Sequence, residues 1–195
     1  MIIHDVEQGT PEWHELRTGK FTASNFHILV GKTTNKGYND LINQIAFERL
    51  SGEYEETYKN EWMQRGIDLE PEARLEYQLL NETSVDTVGF VELTDWVGVS
   101  PDGLIGEEGG LEIKCPKAST LMDLHLDGKV ANNYYWQMQG SLYVTGRKWW
   151  DYFVYHPKLK PFQKRIVRCE EDIESLEKSI EQAISLVNHR MELFK

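Results

Sequence analysis

Gly98-Val-Ser-Pro-Asp-Gly-Leu-Ile-Gly-Glu-Glu-Gly-Gly-Leu-Glu-Ile-Lys-Cys-Pro-Lys117 is the stretch around which the chain can be read. Asp102 sits in a Ser-Pro-Asp-Gly turn, and Glu112 and Lys114 flank Ile113 in a Leu-Glu-Ile-Lys run. Side chains alternate along an extended strand, so Glu112 and Lys114 share one face while Leu111 and Ile113 point into a core. The Gly-Glu-Glu-Gly-Gly between them is turn chemistry that folds this strand back beside Asp102. Two carboxylates and an ammonium then converge. Carboxylate oxygens suit Mg²⁺ or Mn²⁺, and a neighbouring lysine can orient or deprotonate water. A plain β-hairpin with a solvated charged face would carry the same alternation. The Pro-Asp-Gly, the apolar interleaving and the adjacent Cys-Pro occur together here, and on the residues alone metal-assisted phosphodiester hydrolysis and that simpler reading both stand.

The composition sets bounds on this. At 195 residues the chain fits a single domain, 1–195, with 40% hydrophobic residues, an ordinary globular value. No apolar run approaches the roughly 20 residues of a membrane span, and no signal-peptide pattern opens the chain. Cys115 and Cys169 form no disulfide framework, so a reducing cytoplasm is the expected location. The net charge of −11 is unevenly spread. Residues 114–168 hold ten Lys/Arg against three Asp, a local +7, and the remainder is −18. A basic segment starting at the candidate catalytic strand would offer a phosphate-binding face on an acidic body.

Thr10 and Pro11 mark a helix start, with Thr10 as cap, and that helix ends at Gly19. A second helical stretch follows to Val30, with Thr22 as cap and Gly31 as stop. Residues 38–50 form an amphipathic helix burying Leu41, Ile42, Ile45, Ala46 and Leu50. Residues 60–80 keep helical spacing through Trp62, Met63, Leu69, Ala73, Tyr77 and Leu80, with a kink or fresh start expected at Pro71. Strands are expected at 85–93, 96–99, 149–156 and 162–168, and helices at 119–126, 134–145 and 171–193.

Several separated motifs carry a family resemblance. Ser-Pro-Asp-Gly-Leu with Gly-Leu-Glu-Ile-Lys-Cys-Pro resembles the phage lambda exonuclease/YqaJ-type viral recombinase family of the PD-(D/E)xK nuclease superfamily. Trp-His-Glu-Leu-Arg-Thr-Gly with Thr-Ala-Ser, Gly66-x-x-x-Glu70-x-x-Ala73-Arg74 and Tyr-Tyr-Trp-Gln-Met-Gln are similar to further signatures of the same family. The resemblance spans roughly Val6 to Arg168. It implies an α/β, restriction-endonuclease-like core with a central mixed β-sheet flanked by helices. It also implies a Mg²⁺-dependent 5′→3′ exonuclease acting on linear double-stranded DNA, with Mn²⁺ able to substitute and two ions bound.

Residue by residue, Asp102, Glu112, Glu70 and the Ile113 carbonyl are implied as metal ligands, and Lys114 as the group acting on water. Arg17, Ser24, Ser100 and Gln137 are implied to receive the 5′-phosphate and terminal nucleotide; arginine's planar fork suits a phosphate. A toroidal homotrimer and a single-strand annealing partner follow from the resemblance alone. The chain departs from the family at Thr33 and Thr34, where a basic loop residue is expected, and at Thr120, where an arginine follows the DNA. Two other readings share the same residues: a PD-(D/E)xK endonuclease or single-strand nuclease, and a non-catalytic DNA-end-binding scaffold.

Overall fold

The computed structural model describes residues 1–54 and 61–194, with Trp62 and Met63 described in backbone only. Strand β1 (Ile2–His4) leads to helix α1 (Pro11–Arg17), capped as its Thr-Pro start dictates: Thr10 Oγ1 accepts the Trp13 N–H at 3.4 Å. Strand β2 (Phe21–Thr22), a 3₁₀ turn (Ala23–Asn25) and helix α2 (Phe26–Leu29) replace the single helix expected to Val30. Thr22 makes no side-chain cap bond; its hydroxyl meets Ser24 Oγ at 3.1 Å instead. Helix α3 (Lys36–Ser51) ends on Gly52, and α4 (Glu61–Asn81) follows. No fresh start occurs at Pro71: α4 continues through it as one helix. Pro71 and Ile67, whose carbonyl loses its partner, both lie on the exposed side, where water can take over that bond. The expected packing of Trp62 and Met63 lies outside the described side chains.

Strands β3 (Phe90–Thr94), β4 (Val97–Val99), β5 (Gly103–Ile105) and β6 (Gly109–Lys114) come next. The strand expected from Val85 starts only at Phe90; Asp86 makes a lone bridge to Leu104. Helices α5 (Ala118–Asp127) and α6 (Asn132–Thr145), strands β7 (Trp149–His156) and β8 (Leu159–Val167), and α7 (Glu170–Glu192) complete the chain.

The strands form two four-stranded mixed sheets flanked by helices, ordered β1-β3-β4-β2 and β5-β6-β7-β8. The chain leaves the first sheet after Val99 and enters the second at Gly103, so Ser100, Pro101 and Asp102 lie at the crossing. The register places Glu112 beside Tyr152 and Tyr152 beside Lys164, all on one face. That face packs Trp150, Tyr152, Val154 and Ile166 against Leu121 and Leu124 of α5 and Met138 and Leu142 of α6. The opposite face packs Leu111, Ile113 and Phe153 against Ala73 and Tyr77 of α4. A separate core lies between the first sheet and α2, α3, α6 and α7. Helix α6 serves both cores. Its Gly140 lets it close on Phe26, whose ring carbon would stand 2.0 Å from a Cβ there.

The second sheet is therefore covered on both faces, and Glu112 is 1% exposed rather than part of a solvated charged face. On the α4 side a second polar anchor is fully buried. Asp151 accepts two bonds from Arg165, each at 2.8 Å, and one from the Tyr77 hydroxyl at 2.7 Å.

Candidate active site

Strand β6 delivers Glu112 and Lys114 to the face covered by α6. Lys114 Nζ donates to Glu112 Oε1, and Gln137 Nε2 on α6 donates to the same oxygen at 2.7 Å. The Lys114 ammonium also lies 5.3 Å from the Tyr134 ring centre, one helical turn before Gln137. Asp102 is fixed from the neighbouring strand: its Oδ2 accepts the Ile113 N–H at 2.6 Å. Arg74 on α4 completes the frame. It donates to Glu70 Oε1 through Nη2 and to the Asp102 carbonyl at 3.0 Å through Nε. Glu70 is thereby turned toward Asp102, as the i,i+4 spacing with Arg74 suggests. The four sequence-predicted groups, Glu70, Asp102, Glu112 and Lys114, form one cluster within reach of each other's charge.

Burial and the neighbouring charges together set the electrostatics of the cluster. Burial pushes the Glu112 carboxyl up to about 7, with Lys114 opposing and Asp102 and Glu70 adding to the rise. Glu70 is also raised to about 7, by burial first and then by Asp102, against Arg74 and Lys114. Burial raises Asp102 too, although Lys114 and the Ile113 N–H pull it down. For Lys114 burial acts downward, but Glu112 and Asp102 outweigh it and hold the ammonium above the ordinary lysine value. The donors are hard oxygens and suit a divalent cation such as Mg²⁺. Among the described residues no three ligating side chains already stand at ion-enclosing spacing. Lys114 and Arg74 hold two of the acids, and an arriving ion would compete with those cations for the same oxygens.

A second constellation adjoins the first. Ser100 Oγ accepts from Arg17 Nη1 at 3.0 Å and from the Trp13 indole N–H at 2.8 Å. The Arg17 guanidinium lies 4.2 Å from the centre of the Trp13 ring. Arg17 Nε is buried with no hydrogen-bond partner, and burial lowers the guanidinium pKa to about 10 against the attraction of Tyr54 and Glu48. Arg17 and Ser24 line one cavity of about 150 Å³, together with Lys20, Thr22, Gln44 and Glu48. The structure thus brings Arg17 to both Ser24 and Ser100, and Gln137 to Glu112.

Sequence reasoning passed over Trp13, Tyr134 and Glu48. Glu48 had a visible signal: it falls three residues after Ile45, on the apolar face of α3. Several cations of the basic segment already have partners within the chain. Arg147, Lys148, Lys164, Arg165 and Arg168 are each engaged by carbonyls or carboxylates of the chain itself. Gln139 is fully buried, donating to the Val167 carbonyl at 2.9 Å and accepting the Cys169 N–H at 3.1 Å; it is a structural amide.

The two-sheet α/β frame carries its Asp/Glu/Lys cluster at the crossing between the sheets, in the PD-(D/E)xK order read from the sequence. Residues 12–148 match the YqaJ-like viral recombinase domain, and the chain belongs to that family. Its fold is that of the alkaline exonucleases. An alkaline exonuclease from Laribacter hongkongensis, LHK-Exo, is 32% identical, with a TM-score of 0.88 over 95% of this chain and 96% of that one. The same enzyme in complex with dAMP gives 33% identity and a TM-score of 0.89, with the same coverage. A phage-related exonuclease from Haemophilus somnus 129PT is 14% identical, covers 93% of this chain and 99% of that one, and shares the fold with a TM-score of 0.75. No curated protein matches the chain. No described helix is long and apolar enough to cross a membrane.

Proposed function

We propose that the protein is a Mg²⁺-dependent exonuclease that degrades one strand of linear double-stranded DNA in the 5′→3′ direction. It starts from 5′-phosphorylated ends, releases mononucleotides and leaves 3′ single-stranded tails for strand-annealing recombination. One observation carries the reading: Ser100, held by Arg17, stands two residues before Asp102. An anion-binding group and a cluster of hydrolytic type are thus joined by a single short link. The LHK-Exo complex with dAMP adds support, because a related enzyme accommodates a deoxynucleotide.

Asp102, Glu112, Glu70 and the Ile113 carbonyl are the groups that would hold Mg²⁺, two ions in the full site, with Mn²⁺ able to replace it. Such ions supply Lewis acidity toward the phosphodiester and lower the pKa of water. The chain's own residues do the rest. Lys114, against Glu112, orients the attacking water. Arg17 and Ser24 receive the 5′-phosphate, the buried Nε and the fork of the guanidinium supplying the donors. Gln137, already on Glu112, turns its amide toward the terminal nucleotide. A homotrimeric ring and a single-strand annealing partner belong to the same reading by family membership.

The test is nucleotide release from duplex DNA with 5′-phosphate ends, 5′-hydroxyl ends or no ends, in Mg²⁺, Mn²⁺ or EDTA. Release fastest from phosphorylated ends, absent from closed circles and abolished by EDTA is the expected result. Cutting of circles would overturn the end-recognition half. Binding without hydrolysis in either metal would overturn the enzyme and favour a DNA-end scaffold.

A further inference from the structure

The link from α1 to β2 carries Arg17 into its pocket, and two consecutive residues of α3 grip that link at a single residue. The Gly19 N–H donates to Glu48 Oε2 at 2.7 Å, while Arg49 Nη1 donates to the Gly19 carbonyl at 2.9 Å. Glu48 is 2% exposed, and its other oxygen accepts Gln44 Nε2 at 2.9 Å. Arg49 is itself immobilised. It stacks 3.5 Å from the centre of the Trp96 ring and donates to the Asp95 carbonyl at 3.2 Å and to the Asp95 carboxylate. Gly19 has φ +69°, and a Cβ there would stand 2.6 Å from Arg49 Cγ, so no larger residue fits between the two contacts. The main chain on both sides of Gly19 is also tied. Lys20 N–H returns to the Arg17 carbonyl at 3.1 Å, and Phe21 N–H to the Trp96 carbonyl at 2.8 Å.

A buried carboxylate beside a phosphate-binding arginine is at first sight a misplaced charge, because it faces the same cavity as Arg17 and Ser24 and would repel an incoming anion. Its hydrogen bonds give it a different use. We propose that Glu48 is a positioning residue for 5′-end recognition: through its bond to Gly19 it sets where Arg17 stands. This rests on the reading of Arg17 as the 5′-phosphate group. The mechanism depends on the reach of the carboxylate to the Gly19 N–H rather than on its charge, since an amide oxygen accepts the same bond and Gln44 can turn its own amide oxygen to accept from the new NH₂.

Two variants separate reach from charge. Glu48→Gln keeps the length and loses the charge; Glu48→Asp keeps the charge and falls one methylene short of Gly19. Each is assayed on linear duplex with 5′-phosphate and with 5′-hydroxyl ends, reading KM and kcat separately. The expected result for Glu48→Asp is a KM for phosphorylated ends raised about tenfold, the upper end of what one lost hydrogen bond costs, with kcat and the 5′-hydroxyl reaction within about twofold. Glu48→Gln should keep the wild-type preference for phosphorylated ends.

A general loss of structure would lower both substrates together, so the ratio between them distinguishes positioning from damage. Gly19→Ala displaces the same turn from the Arg49 side and should show the same selective loss. An unchanged end preference in Glu48→Asp and Gly19→Ala, or a loss in Glu48→Gln alone, would overturn the proposal. A wild-type protein indifferent to the 5′ phosphate would instead refute the reading of Arg17 on which it rests.

Discussion

Raising the pH of the chelated protein from 5 to 8 should weaken its fold, and Glu112 sets much of the loss. Burial holds this carboxyl at about 7 when folded, against an ordinary value of 4.5. A carboxyl raised on folding favours the folded state fully below its unfolded pKa and loses that contribution as pH climbs through the folded one. The window for Glu112 is thus pH 4.5 to 7. At 1.36 kcal/mol per pKa unit the loss between pH 5 and 8 comes to about 2 to 3 kcal/mol. In a domain of this size that lowers Tm by on the order of 5 to 10 °C. The assay is thermal unfolding in EDTA across this range, for the wild type and for Glu112→Gln, which cannot ionise. The wild type should lose stability with pH more steeply than the variant. Mg²⁺ should restore more stability at pH 8 than at pH 5, because only the ionised acids bind it. Parallel slopes in the two proteins would refute the claim that burial raises the Glu112 carboxyl on folding.

Asp102→Ala should abolish nucleotide release, by at least about a thousandfold, while DNA binding measured by gel shift in Ca²⁺ persists. Arg17→Lys should raise KM for 5′-phosphorylated ends about tenfold and leave 5′-hydroxyl ends little changed, since an ammonium cannot reproduce the fork. Asp151→Ala should cost about 3 kcal/mol in urea unfolding, because it leaves Arg165 and Tyr77 without their shared acceptor; a cost below about 1 kcal/mol would mean water replaces the carboxylate. Gln137→Ala frees one hydrogen bond on Glu112 and should lower kcat with Tm unchanged within about 2 °C.

Local signals in the chain were read with most success. The Thr10-Pro11 start, the Gly52 stop and the apolar periodicity of α7 are short-range chemistry, and the elements form where that chemistry places them. Phe21 and Thr22 were read as the lead-in and cap of a helix rather than as a strand because their pairing with Val97 and Gly98 is made some 76 residues away and leaves no local trace. The division into two sheets was hidden for the same reason, since only the register of β6 on β7 and of β3 on β4 reveals it. At the site, Asp102, Glu112 and Lys114 were legible from alternation and turn residues. Their burial was not: a strand with charge on one side reads as half solvated, and only α6 laid across that side makes it dry. The same holds for the basic excess of 114–168, where counting charges says nothing of carbonyls such as those Arg147 meets.

The crossing between the two sheets also has the character of a measuring gauge. Under the proposed function Ser100 belongs to the end-gripping group and Asp102 to the hydrolytic one, and two residues of backbone span at most about 7 Å. A strand whose 5′ terminus is seated at the first is presented to the second at its nearest linkage, not several nucleotides further along. On that proposal the size of the released fragment would be set by the Ser-Pro-Asp spacing itself. Lengthening that spacing by inserting residues after Pro101 is the change that would alter the step from one nucleotide to more.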